Sequence, residues 1–148
     1  MSYARRIINE RIRYRNEYED KLGCWLTDYG DNNMTFLKFF NDYIALIEIN
    51  FPKTYPFRSP KVKINGYDYM SLLRISESWK LDMLVDKKCL CCSTLLCGNN
   101  WYPCANVVTL LTEIINNLEL KIRFNEIAHV KKIKRKYLID DIPLEQYL

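Results

Sequence analysis

The sequence predicts a single α+β domain with a basic N-terminal helix, a four-stranded antiparallel meander, a long loop and C-terminal helices. Three observations predict it. Apolar residues recur at spacings of three and four from Tyr3 to Leu22, and again from Val107 onward, as on amphipathic helices. Between them lie short segments rich in β-branched and aromatic residues, bounded by turn chemistry. No repeat or low-complexity linker divides the 148 residues, which leave room for one core.

Each element has its own signal. In the first helix Ala4, Ile7, Ile8, Ile12, Tyr14, Tyr18 and Leu22 supply the stripe, and Gly23 stands where a left-handed stop belongs. Arg5, Arg6, Arg11, Arg13 and Arg15 make its first half basic. Cys24 to Tyr29 reads as a strand, followed by the turn Gly30-Asp31-Asn32-Asn33. Met34 to Phe39 pairs with Tyr43 to Phe51, and the run from Tyr43 to Ile47 is apolar on both faces. Pro52, Pro56 and Pro60 end regular pairing because each lacks an N–H donor. Lys61 to Ile64 forms the fourth strand, closed by Asn65-Gly66. From Tyr67 to Lys88 the periodicity is poor, which implies loop with a short helix around Tyr69 to Arg74. Asn106 is placed as an N-cap before Val107, Val108, Leu110, Leu111, Ile114, Ile115 and Leu118. That pattern runs through Ile122, Ile127 and Val130 into the basic stretch Lys131 to Lys136, and Asp140 to Pro143 breaks it.

Composition narrows the classes. No apolar stretch approaches the ~20 residues of a membrane span, and no apolar run follows the arginine-rich start, so a cytoplasmic or nuclear protein without membrane contact is expected. The net charge of +4 is modest and interleaved with acidic residues, so it does not by itself argue for nucleic acid, and no specific nucleic-acid partner is expected. A monomer is expected. Of six cysteines, Cys89, Cys91, Cys92, Cys97 and Cys104 crowd into one short stretch. Without a secretory signal, such crowding points to catalysis or metal before disulfides.

The prolines around Tyr55 stiffen a loop from which Tyr55 packs inward and Phe57 stands out as a binding anchor. The phrase Phe51-Pro52-Lys53-Thr54-Tyr55-Pro56-Phe57-Arg58-Ser59-Pro60-Lys61-Val62, between the third and fourth strands, resembles the ubiquitin-conjugating enzyme family. Trp101-Tyr102-Pro103, just before a long apolar helix, resembles that family's Trp-Ser-Pro. The arginine-bearing first helix agrees as well, and the resemblance covers Met1 to Leu118 of one domain spanning 1–148.

The resemblance implies a carrier of ubiquitin or a ubiquitin-like protein as a cysteine thioester, passed on to a lysine or a ligase. It implies that Phe57, Tyr102 and Pro103 meet the ligase, and that Arg5, Arg6 and Arg13 meet the activating enzyme. The family's reactive cysteine lies eight residues before the tryptophan. Cys92 lies nine before Trp101, with Leu95 and Leu96 at the apolar positions, and is the first choice. Cys89, followed by Leu90, is the second and Cys91 the third. The chain departs from the family's His-Pro-Asn motif: no asparagine falls between Gly66 and Gly98, and the single histidine is His129. Losing one oxyanion donor typically costs ~10²–10³ in rate. Asn99 and Asn100 are the nearest asparagines downstream.

Two other readings stand beside this one. No cofactor is required by the chemistry, yet Cys89, Cys92, Cys97 and Cys104 offer four thiolates to a structural zinc ion. The second reading is a catalytically silent module for protein interaction, since Tyr55-Pro56 and Pro60 also satisfy the Tyr-Pro-X-X-X-Pro phrase of a similar interaction fold.

Overall fold

A computed structural model describes residues 3–73 and 94–137, with side chains through residue 126. The chain enters as α1 (Tyr3–Arg13), widens into a π turn (Tyr14–Tyr18) and closes with α2 (Glu19–Leu22). Gly23 caps this helical stretch with a positive φ of 58° and donates its N–H to the Glu19 carbonyl. The stop read from the sequence is therefore a left-handed C-cap that a side chain would strain.

Five strands follow in sequence order: β1 (Cys24–Tyr29), β2 (Asn33–Phe40), β3 (Tyr43–Asn50), β4 (Lys61–Ile64) and β5 (Tyr67–Asp68). All neighbouring pairs are antiparallel. The expected meander of four strands is thus one strand short. Asn65-Gly66 does not simply close β4 but forms the two-residue connection of a hairpin, with φ of 51° and 85°. That turn is what an Asn-Gly pair favours. Asn65 also takes over where β4 ends. Its side chain accepts from Leu46 N at 2.7 Å and donates to Ile44 O at 3.1 Å, standing in for a strand partner along β3.

Directly after β5 comes α3 (Tyr69–Leu72), capped by Asp68, whose carboxylate accepts from Ser71 N at 3.0 Å. The last helix among the described residues, α4 (Val107–Tyr137), runs 31 residues without a break. Several C-terminal helices were expected, whereas the described residues hold one, about 46 Å long at 1.5 Å per residue. Asn106 is its N-cap: the side-chain oxygen accepts from Thr109 N at 3.0 Å. The expected break at Asp140 to Pro143 lies outside the described residues.

One core unites these elements. Cys24, Leu26, Met34, Phe36, Ala45, Ile47, Ile49, Val62 and Ile64 line the inner face of the sheet by strict alternation. Against them sit Ile7 and Tyr14 from the N-terminal helix and Leu110, Leu111, Ile114 and Leu118 from α4. The Tyr14 hydroxyl donates to the Cys24 carbonyl, so a polar group brought into the core is satisfied. Of the predicted helical stripe, Ala4, Ile8 and Ile12 stay exposed.

Burial pushes the Cys24 thiol from 9.0 up to about 11, against the opposing influence of the Tyr14 hydroxyl and Lys38. Unfolding releases this thiol to ionise near pH 9, so above that pH the unfolded state binds fewer protons than the folded one. Stability should therefore be intact below pH 9 and fall between about 9 and 11, and urea midpoints across that range test it. In native protein at pH 8, Cys24 should resist a thiol reagent that modifies the exposed Cys104.

Candidate functional site

Two loops distant in sequence meet at one end of the molecule. The first, 51–57, winds through successive turns, with Tyr55 N donating to Pro52 O at 3.0 Å and Phe57 N to Thr54 O at 2.8 Å. The second holds Trp101, whose indole N–H donates to Pro56 O at 2.7 Å. The Tyr55 ring lies 6.1 Å from the Trp101 ring and 4.7 Å from that of Phe51. Both sequence motifs thus belong to one packed unit.

Glu10 fastens that unit to α1 and α4. Its Oε2 accepts from the Tyr55 hydroxyl at 2.6 Å and from Arg6 Nε at 2.9 Å. Its Oε1 accepts from Val107 N, the first residue of α4, at 2.8 Å. A carboxylate suits this place because helix N-termini expose unpaired N–H groups and partial positive charge. Burial, then the Glu10 carboxylate, push the Tyr55 hydroxyl well above the ordinary tyrosine range, so it remains a donor. Arg6 Nη2 also reaches the carbonyls of Pro103 and Ala105 at 3.3 and 3.2 Å, holding the tryptophan loop from its far side.

The result is a rigid platform with side chains held outward. Tyr55 is 2% exposed, whereas Phe57 is 78% and Tyr102 46% exposed. Pro103 is exposed beside Tyr102. A stiff backbone presenting aromatic rings loses little entropy on binding, as an interface anchor requires.

Of the three arginines, Arg6 is held within the fold by Glu10 and the two carbonyls. Arg13 pairs with Glu17 at 3.1 Å on the surface, and Arg5 is exposed on the same helix. A cleft of about 170 Å³ between α1 and the start of α4 is lined by Glu10, Arg13, Tyr18 and Asn106 and carries no thiol among the described residues.

Cys89, Cys91 and Cys92 lie outside the described residues, as does most of the asparagine-free stretch between Gly66 and Gly98. The segment's two flanks are described, and both are tied to α4. Before it, the Tyr69 hydroxyl accepts from Asn117 Nδ2 at 3.0 Å. After it, Leu95 N donates to the Glu113 carboxylate at 3.0 and 3.2 Å. Glu113 and Asn117 are four residues apart, one turn along a single helix face. Thr94, two residues beyond Cys92, is fully buried, and its carbonyl accepts from Asn100 Nδ2 at 2.9 Å and from Cys97 N at 3.2 Å. The described residues on either side of 74–93 are therefore tied, through Tyr69 and Leu95, to neighbouring points of α4.

Cys97 is half-buried in the turn after Thr94, and Cys104 is exposed in the tryptophan loop. Among the described residues no three His, Cys, Asp or Glu side chains gather to hold a metal ion, while two of the four proposed zinc ligands, Cys89 and Cys92, fall outside them. Among the described residues, too, no helix is long and apolar enough to cross a membrane. Sequence reasoning missed Glu10, Glu113 and Asn117. Only the Arg6–Glu10 spacing of four residues hinted at the first, because the other partners are far away in the chain. Comparisons with family models, with curated proteins and with solved structures find no match to this chain.

Replacing Glu10 with Ala strands the Val107 N–H and the Tyr55 hydroxyl and leaves Arg6 without its carboxylate. A loss of about 2–3 kcal/mol in urea unfolding is expected, discounted because Arg6 stays partly in water. Glu10→Gln keeps one acceptor and should lose less.

Proposed function

We propose that this chain is a ubiquitin-conjugating-type carrier with a ubiquitin-conjugating-like fold, taking ubiquitin or a ubiquitin-like protein from an activating enzyme and delivering it with a ligase. The observation that carries the reading is the fastening of Tyr55 and Pro56 to Trp101, which leaves Phe57 and Tyr102 exposed on adjoining loops. Those are the residues the family resemblance assigns to the ligase. Pro103 belongs to the same surface. On α1, Arg5 and Arg13 would meet the activating enzyme, with Arg6 shaping the loop behind them.

In this reading the thiolate of Cys92 attacks the carbonyl of the incoming thioester, a new thioester forms, and the activating enzyme's thiolate leaves. A lysine amine then attacks that carbonyl, the isopeptide bond forms, and the Cys92 thiolate departs as the amine gives up its proton. Cys89 and Cys91 follow Cys92 in order of preference. The bonds of Leu95 to Glu113 and of Tyr69 to Asn117 support the reading, since they fix the described chain on either side of the cysteines, with Leu95 three residues from Cys92.

A second reading is a non-catalytic interaction module built on the same platform. One observation favours it: the Asn100 amide, downstream of the cysteines, donates to the Thr94 backbone and serves the loop. Zinc held by Cys89, Cys92, Cys97 and Cys104 would accompany this version.

Incubation with an activating enzyme, ATP and each of several ubiquitin-like modifiers distinguishes the two. The carrier reading expects an adduct that reducing agent removes, and Cys92→Ser should convert it to a reductant-resistant ester. Phe57→Ala should leave that loading intact and lower ligase-stimulated discharge by roughly tenfold or more. Absence of any reducible adduct with every modifier would leave the interaction module, and stoichiometric zinc in metal analysis would identify its metal-bound form.

A further inference from the structure

Two rows on the outer face of the sheet are apolar where an open antiparallel sheet is normally polar. Following the strand registers, Trp25, Leu37 and Leu46 lie in one row across β1, β2 and β3, and Phe39 and Ile44 lie opposite each other in the next row of that face. Trp25 is 41% exposed, Phe39 56% and Ile44 58%, with Leu37 and Leu46 half-buried between them. Together these five leave roughly 400 Å² of continuous apolar surface in water, at the size that marks an interaction site. The alternation rule makes the point independently: from Tyr43 to Ile47 every residue of β3 is apolar, as in a sheet covered on both sides.

A charged row borders this patch. Asp28 pairs with Thr35, Thr35 with Glu48, Glu48 with Lys63, and Lys63 with Asp68, so all five project from the same outer face. The order of charges across β1 to β4 is negative, neutral, negative, positive. That order is complementary to itself under one operation. A two-fold axis along the strand direction, between β2 and β3, sets β2 of each copy over β3 of the other and β1 over β4. Leu37 then meets Leu46, Phe39 meets Ile44, Lys63 of each copy faces Asp28 of the other, and Glu48 faces the uncharged Thr35.

We infer that this sheet face docks a second copy of the chain, forming a symmetric sheet-on-sheet dimer. The arrangement is isologous and closes on itself, as a two-fold interface must. Aligned packing of two twisted sheets at about 10 Å separation lets the two outer rows interdigitate. With its charged rim the patch approaches the ~600 Å² per partner at the low end of specific interfaces, so the expected dimer is of micromolar strength. The inference is independent of the conjugating reading, because it uses neither the cysteines nor the Phe57–Tyr102 platform.

Sedimentation equilibrium from about 1 to 300 µM tests it, a range bracketing micromolar affinity. The wild type should move from monomer to twice the mass. Ile44→Asp should abolish the shift, with circular dichroism checking that the strand survives. The charge pair gives the sharper measurement, since both residues are exposed and neither supports the core. Lys63→Glu alone and Asp28→Lys alone should each weaken association at least tenfold, and the double variant should recover it. A wild type that stays monomeric at the highest concentration, or a dimer indifferent to Ile44→Asp, overturns the proposal. So does a double variant no better than the singles. A monomeric chain whose Leu37 and Leu46 resonances shift on adding free ubiquitin-like protein would assign the face to that partner instead, and would equally overturn the dimer.

Discussion

The Glu10 carboxylate is the constraint on which the architecture turns. With two oxygens it holds a tyrosine from the proline loop, the first N–H of α4 and an arginine one turn back on its own helix. No neutral side chain offers that many acceptor sites, and few positions give a carboxylate compensation from a helix end and a guanidinium together. The aromatic stack of Phe51, Tyr55 and Trp101 packs onto this polar knot, and the outward rings of Phe57 and Tyr102 depend on the stack beneath them.

A similar economy organises α4. Its apolar stripe covers the inner sheet, while Glu113 and Asn117 on the same helix secure the chain on either side of the cysteine-rich stretch. One long helix thereby serves as the spine of the core and as a ruler for the region where thiol chemistry is proposed. The sheet is packed on its inner face, while its outer face carries two apolar rows beside a charged one.

Much of the framework was legible because its signals are local. Gly23 as a helix stop, Asn106 as an N-cap and the boundaries of β1 and β4 all rest on single-residue chemistry. The prolines likewise foretold that Tyr55 would be inside and Phe57 outside. The π turn at Tyr14–Tyr18 was hidden, since an apolar pattern at spacings of four reads equally as ordinary helix. The fifth strand escaped because two residues are too few to show alternation, though Asn65-Gly66 announced a hairpin. At the candidate site the aromatic anchors were readable, whereas the groups positioning them were not. Arg6 apart, the partners of Glu10, Glu113 and Asn117 stand at least 18 residues away in the chain, and periodicity carries no trace of such pairs.

The reach of Glu10 has a consequence for how the chain is made. Its partners stand 45 residues away at Tyr55 and 97 away at Val107. During synthesis the first helix emerges early but cannot acquire its final partner until the start of α4 has left the ribosome. At roughly 5–20 residues per second the wait lasts several seconds. Throughout it, the apolar stripe of that helix and the inner sheet lack the cover that α4 supplies. The non-local contact that stabilises the finished domain thus makes the nascent chain dependent on α4, and a chain arrested before Val107 is the form most in need of a chaperone.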